Sequence, residues 1–255
     1  MKQLLIDAGN TRLKWASLRG KRLGRTHAED WNKRSMARVA QSAMRGKYER
    51  VVVCSVAGTA LERVLRRAAR TAGHPAPHFI RSTRRAAGVR NGYVQTWRLG
   101  ADRWVAMLGA HALHPGRALC VVDIGTALTL DLLDKQGHHR GGLLTPGPTL
   151  MVDSLLNYTA GIRRRAGSRP RSPGRAAALF GRSTRAGLLS GSAMACAALV
   201  ERALREARSE LGARPKLLLA GGGAAQVAPL LHIAHTRADD LVLHGLALLA
   251  TLNSR

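Results

Sequence analysis

Acidic residues are scarce in this chain: 15 Asp and Glu stand against 41 Lys and Arg, a formal net charge of +26. Such an imbalance favours polyanions, whether nucleic acid, anionic membrane or phosphorylated metabolites. Aromatics make up only 4% of the residues, too few for base-stacking platforms, and no zinc-finger or RNP-type pattern is present. The arginines are spread over helical segments such as LERVLRRAAR (61–70) and VERALREAR (200–208), on solvent faces beside apolar stripes. They read as surface composition, and nucleic acid is not an expected partner. The three cysteines, Cys54, Cys120 and Cys196, are too widely spaced for a disulfide framework or a zinc site. The histidine pairs His74/His78 and His111/His114 lack further ligands. No apolar run approaches the ~20 residues of a membrane span, and Asp7 interrupts the apolar stretch a signal peptide requires. The expectation is a cytoplasmic protein without a membrane partner.

What is present is a patterned chain of 255 residues, 45% hydrophobic, long enough for one large core or two smaller ones. LLIDAGNTRLKWA (4–16) predicts a strand, a turn opening on Asp7, and a second strand. RVVVCSVA (50–57) predicts a strand, and helices are expected over 59–72 and 100–114, the latter stopped by Pro115 and Gly116. ALCVVDIGTALTLDLLD (118–134) then repeats the opening pattern around Asp123. GGLLTPGPTLM (141–151) predicts a turn ahead of a helix over 148–158, and the basic, Gly/Pro/Ser-rich segment 161–175 predicts a loop. A long helix over 183–210, a strand running into Gly221–Gly223, and a terminal helix over 240–251 complete the reading. An apolar strand, an acid, a glycine turn with Thr and a second strand occur twice, half a chain apart, which indicates an internal duplication with a boundary near Pro115.

A glycine turn exposes consecutive backbone N–H groups, because glycine tolerates positive φ and no side chain blocks approach. With Thr or Asn beside them, such N–H groups form a concavity suited to phosphate oxygens. A carboxylate there repels phosphate unless a cation lies between, and Mg²⁺ binds through one or two carboxylates plus phosphates. One such turn alone also fits an ordinary hairpin. Two copies plus the Gly221–Gly223 turn favour a nucleotide site.

The arrangement resembles the actin-like ATPase and sugar-kinase superfamily, and its details resemble the type III pantothenate kinases, relatives of which have also been described as Bvg accessory factors. The motifs carrying the resemblance are DAGNT (7–11), NGY (91–93) with GADRW (100–104), DIGTALT (123–129), GGLLTPG (141–147), RSTRAG (182–187) and LLLAGGG (217–223), in the family's order. The resemblance implies an α/β fold of duplicated RNase H-like (actin-like ATPase) domains with mixed sheets and flanking helices, one over 1–116 and one over 117–255. It implies ATP-dependent phosphorylation of pantothenate, with Asp102 as general base. ATP would lie against Asp7, Ala8, Gly9, Asn10, Thr11, Arg12, Leu13 and Lys14, with Thr126 from the second motif. Asp7 would orient Mg²⁺ through the phosphates, and Asp123 would hold a monovalent cation, K⁺ or NH₄⁺. Pantothenate would meet Tyr93, Gly100, Ala101, Asp102, Arg103 and Thr184, in a homodimer whose site lies near the subunit interface. From residue pattern alone, Asp102 fits equally an acid stabilising a helix N-terminus, and Arg103 a surface arginine. The alternative function is a non-catalytic regulatory accessory protein of the same fold that binds nucleotide or nucleic acid. A kinase for another small alcohol is a third reading.

Overall fold

In the computed structural model, residues 1–167 and 179–252 are described. The chain divides into two units, 1–117 with 135–139 and 240–255, and 118–134 with 140–239. The first unit opens with the expected hairpin: β1 (Lys2–Ala8) and β2 (Arg12–Arg19) pair antiparallel, with Asp7 opposite Lys14. Two short polar strands follow, β3 (Arg22–Leu23) and β4 (His27–Asp30), both paired with β2. Helix α1 (Met36–Ala43) leads to β5 (Arg50–Ser55), parallel to β1, then α2 (Gly58–Thr71) and β6 (His78–Ile80), parallel to β5. A small hairpin of β7 (Arg85–Ala86) and β8 (Val89–Arg90) precedes α3 (Ala101–Leu113).

Period-two alternation sorts the strands' two faces. Leu4, Ile6, Ala8, Val51 and Val53 join Leu61, Leu65 and Ala69 of α2 in one buried cluster. The alternate positions, Leu5, Asp7, Val52 and Cys54, therefore face the other side of the sheet.

The second unit repeats this plan. Strands β9 (Leu119–Ile124) and β10 (Ala127–Leu133) form the second antiparallel hairpin, and β11 (His139–Pro146) extends it. Helices α4 (Pro148–Tyr158), α5 (Ala160–Ala166) and α6 (Thr184–Leu211) precede β12 (Lys216–Ala220), which is parallel to β9. A short helix α7 (Ala224–Val227) and β13 (Thr236–Arg237) complete it. The sheet orders β3-β2-β1-β5-β6 and β11-β10-β9-β12-β13 are the same path walked twice. The duplication seen in the turns is thus a duplication of whole sheets.

Helix α8 (Leu241–Leu252) returns to the first unit, where it lies against α3, β1 and β5. The expected division at 116/117 had assigned this helix to the second half. Its packing partner explains the difference: Gly109 of α3 and Gly245 of α8 face each other's backbones, so the helices approach closely. Asp240 precedes α8 at φ 63°, its carbonyl accepting the His244 N–H at 3.0 Å and its carboxylate meeting Lys14 Nζ at 3.2 Å. That ion pair ties the terminal helix to the first hairpin.

Three further readings change. GGLLTPG lies largely in strand β11 rather than in a turn; Gly141 and Gly142 carry little strand propensity. The expected loop 161–175 begins as helix α5, and from 168 onward lies outside the described residues. Helix α6 is long and apolar enough, by length and composition, to cross a bilayer, although no long apolar run was apparent. Here Cys196, Ala197, Val200 and Leu204 of α6 are buried against Cys120, Val122 and Leu219 of the second sheet.

Candidate active site

The hairpin turn after β1 is held from two sides. The Gly9 N–H donates to the Arg12 carbonyl at 3.0 Å, which closes the turn. Trp31, which follows β4, donates its indole Nε1–H to the Gly9 carbonyl and its backbone N–H to the Thr11 carbonyl, at 3.0 and 2.9 Å. No motif pointed to Trp31, because its part in the turn depends on a strand too short and polar to read in sequence. Asn10, Thr11 and Arg12 are exposed, and Asp7, Gly9 and Lys14 are half-buried. Ala8 and Leu13 lie in the hydrophobic cluster, so what they offer a ligand comes from their backbone. Arg12 holds Asp30 at 2.6 Å and Lys14 holds Asp240, so neither cation is loose over the turn.

Asp7 and Asp102 converge on Cys54. Cys54 is Asp7's register neighbour on β5 and faces the side of the sheet away from α2. Burial pushes its thiol well above the ordinary range, and the Asp7 and Asp102 carboxylates push it further. The thiol is therefore neutral. The sheet period puts Asp7 on this face, and Gly100 starts α3 where Asp102 reaches the same region.

Asp102 folds back over the start of its own helix, where a carboxylate is favoured by the exposed N–H groups. The Arg103 N–H donates to Asp102 Oδ1 at 2.8 Å. A Cβ at Gly100 would come within 2.6 Å of that oxygen, so the glycine leaves the space the carboxylate occupies. Arg103 is 6% exposed, which removes the reading of it as a surface arginine. Its Nη1–H donates to the Tyr93 hydroxyl at 2.9 Å, and its guanidinium lies 5.6 Å from the Tyr93 ring centre.

Tyr93 is fixed from behind by residues the motifs did not include. Its backbone N–H donates to Asn91 Oδ1 at 2.9 Å, and Asn91 Nδ2–H bonds the Thr83 and Thr96 carbonyls at 3.2 Å each. The buried His139 ring stacks on Tyr93 at 5.7 Å and 15°, and the His139 carbonyl fills the space a Cβ at Gly92 would need. His139 lies 46 positions beyond Tyr93 in the sequence, and only the placement of 135–139 in the first unit brings the two together. If Tyr93 and Arg103 meet a substrate, as the resemblance implies, replacing His139 by Ala is expected to raise its KM several-fold, with KM for nucleotide nearly unchanged. Steady-state kinetics with each substrate varied in turn reads this, and equal changes in both constants would contradict it.

In the second unit, glycines crowd around Asp123. The Gly223 N–H donates to the Ile124 carbonyl at 2.8 Å, and the Gly147 N–H to the Thr126 carbonyl at 2.8 Å. Gly221 sits at φ 86°, and a Cβ there would collide with Asp123 Oδ1 and the Ile124 carbonyl; a Cβ at Gly147 would collide with the Gly125 carbonyl. The turns after β9, β11 and β12 thus close together beside Asp123. Thr126 is exposed at this rim. Thr184 starts α6, where Ser183 caps the helix by accepting the Ala186 N–H at 3.1 Å. It lines a cavity of about 510 Å³ with Pro146, Met151, Leu155 and Leu188.

The sequence profile of the type III pantothenate kinase family matches residues 3–206. The chain belongs to that family. It is 40% identical to the type III pantothenate kinase of Aromatoleum aromaticum, with 97% of each chain covered. It is 33% identical to that of Nitrosococcus oceani, over 99% of this chain and 95% of the relative. Among solved structures, it resembles a protein assigned to the Baf family of transcriptional activators from Campylobacter jejuni (TM-score 0.58, 19% identity, 98% of each chain). It also resembles a protein assigned as a 2-dehydro-3-deoxygalactonokinase from Sinorhizobium meliloti (TM-score 0.59, 12% identity, 99% and 98% covered). The fold is that of the actin-like ATPases and sugar kinases, α/β with mixed sheets and flanking helices, as the duplicated turns implied.

Proposed function

We propose that this type III pantothenate kinase transfers the γ-phosphoryl group of ATP to the primary hydroxyl of pantothenate, giving 4′-phosphopantothenate at the start of coenzyme A biosynthesis. The observation that carries the reading is the group at the start of α3: a carboxylate, Asp102, beside a buried guanidinium, Arg103, that is itself held by Tyr93. Pantothenate brings a carboxylate, and a guanidinium offers paired donors in the geometry a carboxylate accepts. Arg103 and Tyr93 hold the acid end of the substrate, with the backbone of Gly100 and Ala101 along its length. Asp102 accepts the hydroxyl proton as the oxygen attacks phosphorus. The new O–P bond forms as the bridging P–O bond to ADP breaks, and ADP leaves with the electron pair. The hairpin after β1 receives the triphosphate through Gly9, Asn10 and Thr11, with Arg12 and Lys14 at its edge.

The donor set fits a metal carried by nucleotide. Among the described residues no group of three or more His, Cys, Asp or Glu forms a cage, whereas single carboxylates stand at both phosphate turns. Asp7 with phosphate oxygens suits Mg²⁺, and Asp123 beside the carbonyls of its turn suits K⁺ or NH₄⁺. When bound, these ions neutralise charge on the phosphate oxygens. The chain acts in the cytoplasm as a homodimer, the dimer being supported by exposed Leu155, which lines the Thr184 cavity, and by exposed Tyr158 and Phe180. Thr184 then completes the pantothenate pocket at the subunit interface.

A coupled assay of ADP release tests the cation assignment. Turnover with ATP, Mg²⁺ and pantothenate is expected to rise at least severalfold when K⁺ replaces Na⁺ at equal ionic strength, and Asp123→Asn is expected to abolish the difference. Equal rates in the two salts for wild type would remove the role given to Asp123.

A further inference from the structure

The arginines of α2 form a site rather than a solvated face. Arg63, Arg66, Arg67 and Arg70 recur at i, i+3, i+4 and i+7, which lines them up on one side of the helix over about 10 Å. All four are exposed, and they wall one side of a concavity of about 400 Å³ whose other side is His74, Ala76 and Pro77. The walls are built. Arg66 lies with its guanidinium 4.6 Å from the Phe79 ring centre, a contact that fixes the direction of a side chain otherwise free to rotate. His74 Nε2 lies 2.9 Å from the Met44 carbonyl, and its ring meets Tyr48 edge-on.

The charge in this groove is uncompensated. Among the described residues no hydrogen bond or ion pair engages the side chains of Arg63, Arg67 or Arg70, and the Arg66 side chain has only its ring contact. Glu62, the acid of α2, is held by Arg81 at 2.9 Å. Like charges three and four apart on a helix repel, so the row costs stability until an anion arrives. Helix α6 shows the contrast: there Arg202 meets Glu206 four residues on, at 2.7 Å.

We infer that this groove binds a small polyphosphate, an anion with two or more linked phosphate groups. Four guanidiniums each offer paired donors in the geometry phosphate oxygens accept, more than one phosphate group can satisfy. The concavity has the volume of a single small-ligand site, and the scarcity of aromatics gives nucleobases nothing to stack on. The groove is not part of the kinase centre. The apolar side of α2 packs on the sheet face carrying Leu4 and Ile6, whereas Asp7 and Cys54 lie on the other face. The inference therefore does not rest on the proposed reaction.

Calorimetric titration of the full chain with inorganic tripolyphosphate tests it, with the nucleotide turns first saturated by Mg²⁺ and a non-hydrolysable ATP analogue. Wild type is expected to bind one tripolyphosphate. Arg63→Gln/Arg67→Gln is expected to weaken it by at least about tenfold, the loss of one or more charge-assisted bonds. Arg205→Gln/Arg208→Gln removes the same charge from exposed positions of α6 and is expected to leave the affinity within about twofold. An equal loss in both variants would reduce the effect to net charge and overturn the site, as would an unchanged affinity in the first. A single-stranded oligonucleotide runs as a second arm. If it alone shows the variant-specific loss, the occupant is nucleic acid and the small-ligand assignment falls.

Discussion

Asp102→Asn is expected to lower kcat for pantothenate phosphorylation by about 10²–10⁴-fold, the range of a positioned general base. The substitution is nearly isosteric. The Asn carbonyl oxygen can still accept the Arg103 N–H that Asp102 Oδ1 accepts at 2.8 Å, so the helix start and the Arg103–Tyr93 pair stay in place. What is lost is the capacity to take a proton. Nucleotide affinity and melting temperature are therefore expected to stay close to wild type, and KM for pantothenate to change far less than kcat. A kcat within about threefold of wild type, in protein that binds nucleotide normally, would remove Asp102 from proton transfer and leave it as a helix-start acid. Gly100→Ala serves as a companion, because its Cβ enters the space held by Asp102 Oδ1; it too is expected to depress kcat.

Gly245→Ala is expected to destabilise the first unit by about 1–3 kcal/mol, the usual cost of overpacking, and to lower the melting temperature by about 2–10 °C. A Cβ at Gly245 runs into the Val105 carbonyl and comes within 2.9 Å of its carbon, and one at Gly109 runs into the Leu241 carbonyl. Backbone atoms cannot swing aside as a side chain does, so the added methyl must push α8 off α3. Because α3 carries Asp102 and Arg103, activity is expected to fall with stability. Thermal melts followed by circular dichroism, with the assay run well below the transition, separate the two effects. An unchanged melting temperature would mean that α8 does not seat against α3 as described.

The sequence made the hairpins legible because each states its structure locally: an apolar run, an acid, a glycine turn and a second apolar run. That signal needs no knowledge of the rest of the chain, and its recurrence at Asp123 disclosed the doubled sheet. Strands β3, β4, β7, β8 and β13 left no such trace, since two to four residues carry no period. Their pairing is decided by the neighbouring strand. The return of α8 to the first unit was equally hidden, because an apolar helix does not state which partner covers it. Only the contacts made at Gly109 and Gly245 identify that partner. The motif residues of the site, Asp7, Tyr93, Gly100, Asp102 and Arg103, were legible because each motif is contiguous. Trp31, Asn91 and His139 were not, since they support those motifs from other elements and join them only through the tertiary fold.

The most direct test of the central claim follows the phosphoryl group itself. ATP carrying an isotopic label in its γ-phosphate is incubated with the purified chain, Mg²⁺, K⁺ and pantothenate, and the products are resolved by mass spectrometry. The predicted result is label on pantothenate at its primary hydroxyl, in one-to-one proportion to ADP, and none when pantothenate is omitted. Folded protein that binds ATP yet leaves pantothenate unlabelled would contradict the assignment.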